Sequence, residues 1–275
     1  MLEKLQEILG NEFLIEETVI RKNNCIVNGI SIRRKEEAVA KVFYCDSFSS
    51  AEELAKAYLE ITENVDASDY LKKILDPCWV KENVYLRLTA DVDFAKEYVH
   101  KQVQDLYIIP YVKFDEEHLM NLKVSNLKGY DKDEIFSLAL QNMEKRSLLA
   151  SVEDIIFRSL TGDFEVANYM KESNPELEEK LRQGSMLCLT NSEYRFGAAS
   201  IFCESVKKRL CEIFTDGCYL IPSSVHEFLV VKKEVANPED LKTMILEVNT
   251  TEVAKEDRLS DAAYFFDKGS FYKTL

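Results

Sequence analysis

Cys218-Tyr-Leu-Ile-Pro-Ser-Ser-Val-His-Glu-Phe-Leu-Val-Val231 is the stretch that decides the fold. Two short apolar runs, Cys218–Ile221 and Phe228–Val231, flank the polar segment Pro222–Glu227. Runs of that length, bounded by turn residues, predict two strands rather than a helix. Upstream, Met186-Leu-Cys-Leu-Thr190 predicts another short strand, followed by a polar turn at Asn191-Ser192. Phe202, Val206, Leu210 and Ile213 or Phe214 then recur at helical spacing, and Gly217 closes that helix. Downstream, Asn237-Pro-Glu-Asp240 is a helix start, with Asn as the cap, Pro in the first turn, and acids against the helix dipole. Leu241, Met244, Ile245 and Val248 continue it, and Ala263–Phe266 is a last strand with its turn at Asp267-Lys-Gly269. The order β-α-β-β-α-β over 184–275 predicts an α+β module: a mixed or antiparallel sheet with helices packed on one face.

Toward the N-terminus, Leu2, Leu5 and Leu9 mark a short amphipathic helix before Gly10. Cys25-Ile-Val-Asn-Gly-Ile-Ser-Ile32 carries an Asn28-Gly29 pair between apolar runs, which predicts a type I′ hairpin turn at that pair. Ala38–Cys45 reads as a strand. Ser50-Ala-Glu-Glu53 reads as a capping box ahead of a helix through Leu54, Tyr58 and Ile61, and Ser68–Leu75 as a helix stopped by Pro77. Val84-Tyr-Leu-Arg-Leu88 alternates as a strand, Asp91–Gln102 reads as a helix, and Leu106–Val112 as a strand. Pro110 cannot donate to a ladder, so that strand is expected at an edge or broken there. From 126 to 183 the β signal fades; Asp131–Lys145, a helix capped at Ser151 and an acidic helix from Pro175 suggest a helical connector. The expected organisation is therefore an N-terminal α+β module over 1–125, a connector over 126–183 and the C-terminal module over 184–275.

Composition narrows the function classes. The chain has 275 residues with Asp+Glu 49 against Lys+Arg 35, a net charge of −14. Binding a nucleic-acid backbone by counterion release needs the opposite sign, so direct nucleic-acid binding is not expected. No apolar run approaches the ~18 residues of a membrane span, and the first residues lack the basic-then-apolar pattern of a secretory leader. The seven cysteines are scattered, with no Cys-x-x-Cys pair. That is the pattern of reduced, mostly buried thiols in a cytoplasmic protein rather than of a disulfide framework. His100, His118 and His226 lie far apart, and Cys203 and Cys211 sit about two turns apart on one helix, so no metal site is expected. With eight glycines and no phosphate-loop motif, no nucleotide or other cofactor is expected either.

Leu189-Thr-Asn-Ser-Glu-Tyr-Arg-Phe-Gly-Ala-Ala199, Tyr219–Glu227, Glu247-Val-Asn-Thr-Thr251 and Leu259-Ser-Asp261 occur together in that order, with Lys22–Gly29 near the start. In these stretches the chain resembles an uncharacterised family of bacterial proteins, common in gut-dwelling Gram-positive bacteria and often carried on mobile genetic elements. Many members have a strongly acidic middle segment, from which residues 126–183 depart. The resemblance implies a cytosolic setting and supplies no catalytic residue.

Two functional readings remain. Ser223, Ser224 and His226 share one turn, and Glu227 or Asp261 is placed to orient an imidazole, as in a small hydrolase or transferase. The same residues suit a plain polar turn whose hydroxyls satisfy backbone amides, and no Gly-x-Ser-x-Gly elbow supports catalysis. Asn191 and Arg195 are the candidate binding residues. An Arg beside small residues can clamp a carboxylate or phosphate, although pairing with Glu193 or Asp261 is the more ordinary expectation. The leading expectation is a non-catalytic cytosolic interaction factor. Its negative field would engage a basic surface of a protein partner, for example as an inhibitor, accessory protein or counter-defence factor acting on a nucleic-acid enzyme.

Overall fold

The computed structural model describes residues 1–37, 40–64, 67–116, 118–127, 129–162, 165–170, 175–182 and 184–274. It is an α+β protein whose sheets are all antiparallel. The chain divides into two compact units, Met1–Asp76 and Pro77–Leu275.

In the first unit, helix α1 (Leu2–Leu9) ends at Gly10, which adopts φ 99° and donates its N–H to Gln6. Strands β1 (Phe13–Lys22), β2 (Cys25–Arg34) and β3 (Lys41–Tyr44) form a sheet in sequence order, followed by α2 (Ala51–Asn64) and α3 (Ala67–Leu75). Leu5, Leu9, Ile30, Ile32, Leu54 and Tyr58 meet in its core. The hairpin turns at Asn23-Asn24, not at Asn28-Gly29. Lys22 pairs with Cys25, Asn24 takes φ 57°, and Gly29 lies mid-strand opposite Thr18. Gly29 is needed there for space: a Cβ would sit 2.8 Å from the Ile20 side chain and 3.0 Å from the Phe43 carbonyl oxygen. The Ser50 hydroxyl caps the Glu53 amide, but the Glu53 carboxylate answers Ser49 rather than Ser50. Ala38 and Val39 lie outside the described residues.

In the second unit, Pro77 does not simply end a helix. It opens α4 (Pro77–Asn83), at a position where its missing N–H has no intrahelical partner to lose. Next come β4 (Val84–Thr89), the short α5 (Val92–Lys96), β5 (Lys101–Val103), β6 (Leu106–Lys113) and β7 (Leu119–Asn121). Asp91 caps α5, and the chain turns back into β5 where a helix through Gln102 was expected. Strand β6 is central, with β4 on one side and β5 and β7 sharing the other. Pro110 therefore sits inside the sheet. Its carbonyl accepts from Leu122 on the shared side, and its nitrogen faces the same way, into the interval between β5, which ends opposite Ile108, and β7, which begins opposite Tyr111. No ladder donor is missed.

Helix α6 (Lys132–Glu144), capped by Asp131, leads to β8 (Ser147–Ser151), then to α7 (Val152–Thr161), capped by Ser151, and to α8 (Pro175–Arg182). The residue before α8, Asn174, lies outside the described residues. Strands β9 (Leu187–Asn191), β10 (Cys218–Pro222), β11 (Phe228–Lys232), β12 (Tyr264–Asp267) and β13 (Ser270–Lys273) join β8 in the order β13-β12-β10-β11-β9-β8. Between them run α9 (Glu204–Ile213) and α10 (Pro238–Thr251), the latter capped by Asn237. Leu241 and Ile245 of α10 pack on Tyr219, Ile221 and Val231, the face these strands turn to the helix.

The observed division differs from the boundaries 1–125, 126–183 and 184–275. Residues 77–125 group with everything that follows, and the segment 126–183 supplies β8 to the six-stranded sheet. Ser-Leu-Leu-Ala-Ser carries no β-branched residue and follows a helix directly, so only its pairing with β9 makes it a strand. Among the described residues no helix is long and apolar enough to cross a membrane.

Candidate functional site

The loop Asn191–Phe196, which leaves β9, gathers a cluster of polar and charged side chains. Asn191 builds it. Its side-chain oxygen accepts from the amides of Glu193 (3.0 Å) and Arg195 (3.3 Å), and its Nδ2 donates to the Arg195 carbonyl (2.8 Å). This is an Asx turn, so Asn191 holds the loop rather than presenting itself to a ligand. Tyr194 and Phe196 both take φ 55°, left-handed backbone that costs a non-glycine residue about 1–3 kcal/mol. The neighbours hold them there. Glu193 is gripped by Lys113 from β6 (2.6 Å) and by Arg146. The Arg146 guanidinium in turn lies over the Tyr85 ring at 4.4 Å.

Phe196 is the centre. Its ring meets Tyr111 edge-on (5.5 Å between centroids) and stacks on His226 (5.4 Å, 26° between planes). The guanidinium of Arg87 lies 4.1 Å from the ring centroid and that of Arg195 lies 5.5 Å away. Arg87, from β4, is only 8% exposed. It also lies 5.3 Å from the Phe94 ring, and its Nε is buried without a hydrogen-bond partner. Burial pulls its ionisation down from the ordinary arginine range, with nearby Arg195 pulling the same way and Tyr111, Tyr98 and Asp257 opposing. Tyr111 is shifted upward by burial.

His226 is held at both ring nitrogens. Nδ1 accepts from the Phe196 amide (3.0 Å), which places the neutral ring's proton on Nε2, facing Asp257 Oδ1 (3.2 Å). Thr190 bonds the His226 carbonyl (2.9 Å), tying the same turn to β9. The Ser224 hydroxyl donates to Glu227 Oε1 (3.0 Å) and accepts from the His226 amide (2.9 Å). Ser223, Ser224 and His226 are thus brought into one turn, but among the described residues no serine hydroxyl meets an imidazole nitrogen. The group that orients the ring is Asp257, not Glu227 or Asp261; Glu227 serves Ser224, and Asp261 accepts from Asn249 (2.8 Å). Arg195 pairs with neither Glu193 nor Asp261. Its Nη1 donates to the Glu116 carbonyl (2.7 Å), because Glu193 is already taken by two other cations. Among the described residues the arrangement braces the 191–196 loop and the 222–227 turn, with the Ser224 hydroxyl held by Glu227 rather than by an imidazole.

Among the described residues no disulfide forms: Cys188, Cys203 and Cys218 are buried, Cys25, Cys45 and Cys211 half-buried, and Cys78 exposed. Among the described residues no three His, Cys, Asp or Glu side chains are grouped to hold a metal ion. Arg87, Phe196 and Asp257 escaped the sequence reading as functional residues. The signal was a charge inside the strand Val84–Thr89, all of which is buried.

A family model described as a family of unknown function, DUF5688, matches residues 1–268. No curated protein and no solved structure matches the chain.

Proposed function

The chain belongs to DUF5688, a family of unknown function, and from that premise we propose that it is a non-catalytic cytosolic interaction factor engaging a basic face of a protein partner. The observation that carries this reading is the outer side of α10. The helix buries only Leu241, Ile245 and Asn249. Met244 and Val248, one turn apart on the same flank, stay exposed at 41% and 38%, while Leu246 is exposed on the opposite flank. Asp240, Glu247 and Glu252 are exposed beside Met244 and Val248. An apolar pair flanked by acids suits a partner surface that is basic with an apolar contact within it. A net charge of −14 supplies long-range steering toward such a surface. The basic groove of a nucleic-acid enzyme has that character, so an inhibitor, accessory or counter-defence role fits best.

The test is affinity capture from the native host at roughly 0.05 M and 0.5 M salt, with the native chain and with a Met244→Lys/Glu247→Lys variant. The expected result is a basic partner held by the native chain at low salt, weakened by salt and lost with the variant. Capture indifferent to both changes would sink the reading. The alternative, a hydrolase or transferase at Ser223, Ser224 and His226, predicts turnover of chromogenic esters or phosphoesters that disappears in Ser224→Ala. No such turnover is expected.

A further inference from the structure

We propose that Arg87 and Arg195, gathered around the Phe196 ring, form a binding site for the oxyanion group of a small molecule, a phosphate or a carboxylate. The argument starts from Arg87. A guanidinium carries five N–H donors in a planar fork. Here it is nine-tenths buried, its Nε has no acceptor, and no carboxylate among the described residues pairs with it. Burying an unpaired cation is strongly unfavourable in general. The faces of Phe94 and Phe196 offset part of that cost, but a ring face leaves the in-plane donors unused.

A second guanidinium on the same ring sharpens the point. Arg195 is close enough to Arg87 for the two charges to repel. Only one of its donors is engaged by a described residue, the Nη1 that reaches the Glu116 carbonyl. The described acid nearest in effect, Asp257, has its Oδ1 facing His226. The fold therefore holds two forked cations together, one on β4 and one on the 191–196 loop, with unused donors and, among the described residues, no carboxylate in an ion pair with either. An oxyanion fits the forks bidentately and relieves the repulsion. The enclosure of Arg87 and the overall negative charge exclude a polyanion such as nucleic acid. This inference does not depend on the outer side of α10.

The experiment uses the full chain. Thermal unfolding is followed with inorganic phosphate, acetate or chloride at matched ionic strength, and Arg Nε–H resonances are followed by NMR through the same titrations. The expected result is saturable stabilisation by phosphate or acetate beyond chloride, with the Arg87 Nε–H signal moving in step. Arg195→Gln should weaken that anion by about tenfold or more, and Arg87→Lys, which keeps the charge but loses the fork, should do the same. Which anion saturates first identifies the phosphate or the carboxylate source. Binding that survives Arg195→Gln unchanged, or titrations that leave the Arg87 signal in place, overturns the proposal. If Arg87→Lys fails to fold, the resonance of the native chain still decides.

Discussion

The Phe196 amide donates to Nδ1 of His226 at 3.0 Å while the two rings stack at 5.4 Å, so one side chain both satisfies and covers the left-handed end of the 191–196 loop. Removing the imidazole leaves the amide unsatisfied and Asp257 without its partner. His226→Ala should therefore cost about 1–3 kcal/mol in urea unfolding. His226→Asn, whose side-chain oxygen can stand near the Nδ1 position, should recover part of that loss. A His226→Ala protein as stable as the native one would show that the loop is held by its ion pairs alone.

The buried thiols give a pH dependence. Burial pushes the Cys203 thiol up to about 12 and raises Cys188 and Cys218 as well. Their ordinary value is 9.0, so between that pH and the folded value the unfolded chain loses protons that the native chain keeps. The associated stability is fully present below about pH 9 and falls as pH rises, by up to about 1.4 kcal/mol per pH unit for each thiol. Buried Tyr111 and Tyr264, raised likewise, add to the fall from about pH 10. Urea unfolding at pH 8 and pH 10.5 should show the loss, and Cys203→Ala should lessen the slope by about one group. A flat profile would mean that these thiols are not desolvated.

In the first hairpin the turn and the glycine are separate. Asn24→Gly should stabilise by a few tenths to about 1 kcal/mol, since φ 57° suits glycine. Gly29→Ala should destabilise by about 1–3 kcal/mol, because the added methyl meets Ile20 and the Phe43 carbonyl. The reverse ranking in thermal unfolding would restore the turn to Asn28-Gly29.

These residues show what the sequence made legible. Local signals with a mechanism were readable: the Asn237 and Ser151 caps and the apolar runs that became β9, β10 and β11. Non-local features were not. Asn-Gly is a turn signal only until a neighbouring strand fixes another register, as the pairing of Gly29 with Thr18 does. Pro110 is tolerated centrally because two separate strands share its side. The site was half legible. Arg195, Asn191 and His226 were singled out and do lie together, but their roles depend on Phe196, Arg87 and Asp257, distant in sequence. Alternation in Val84–Thr89 says that Tyr85, Arg87 and Thr89 share a face; it does not say that Phe94 and Phe196 will cover the arginine on it.

The loop's other support is a close backbone approach at Gly197, just beyond Phe196. A Cβ there would stand 2.3 Å from Thr190 Oγ1, 2.6 Å from the Asn191 nitrogen and 2.7 Å from the Thr190 carbonyl carbon. Two of those atoms are backbone, in the strand that pairs with β8 and β11, and Thr190 Oγ1 is fixed on the His226 carbonyl. No side-chain rotation relieves the contact, so the chain after Phe196 must move away from β9. Gly197→Ala should cost more than Gly29→Ala, on the order of 3 kcal/mol or more, and should carry Phe196 off His226. Urea unfolding reads the first effect, and a shift of the His226 imidazole resonances in NMR reads the second. If stability falls while those resonances stay put, the glycine serves packing against β9 only, and the ring stack is set by Phe196 and its other neighbours.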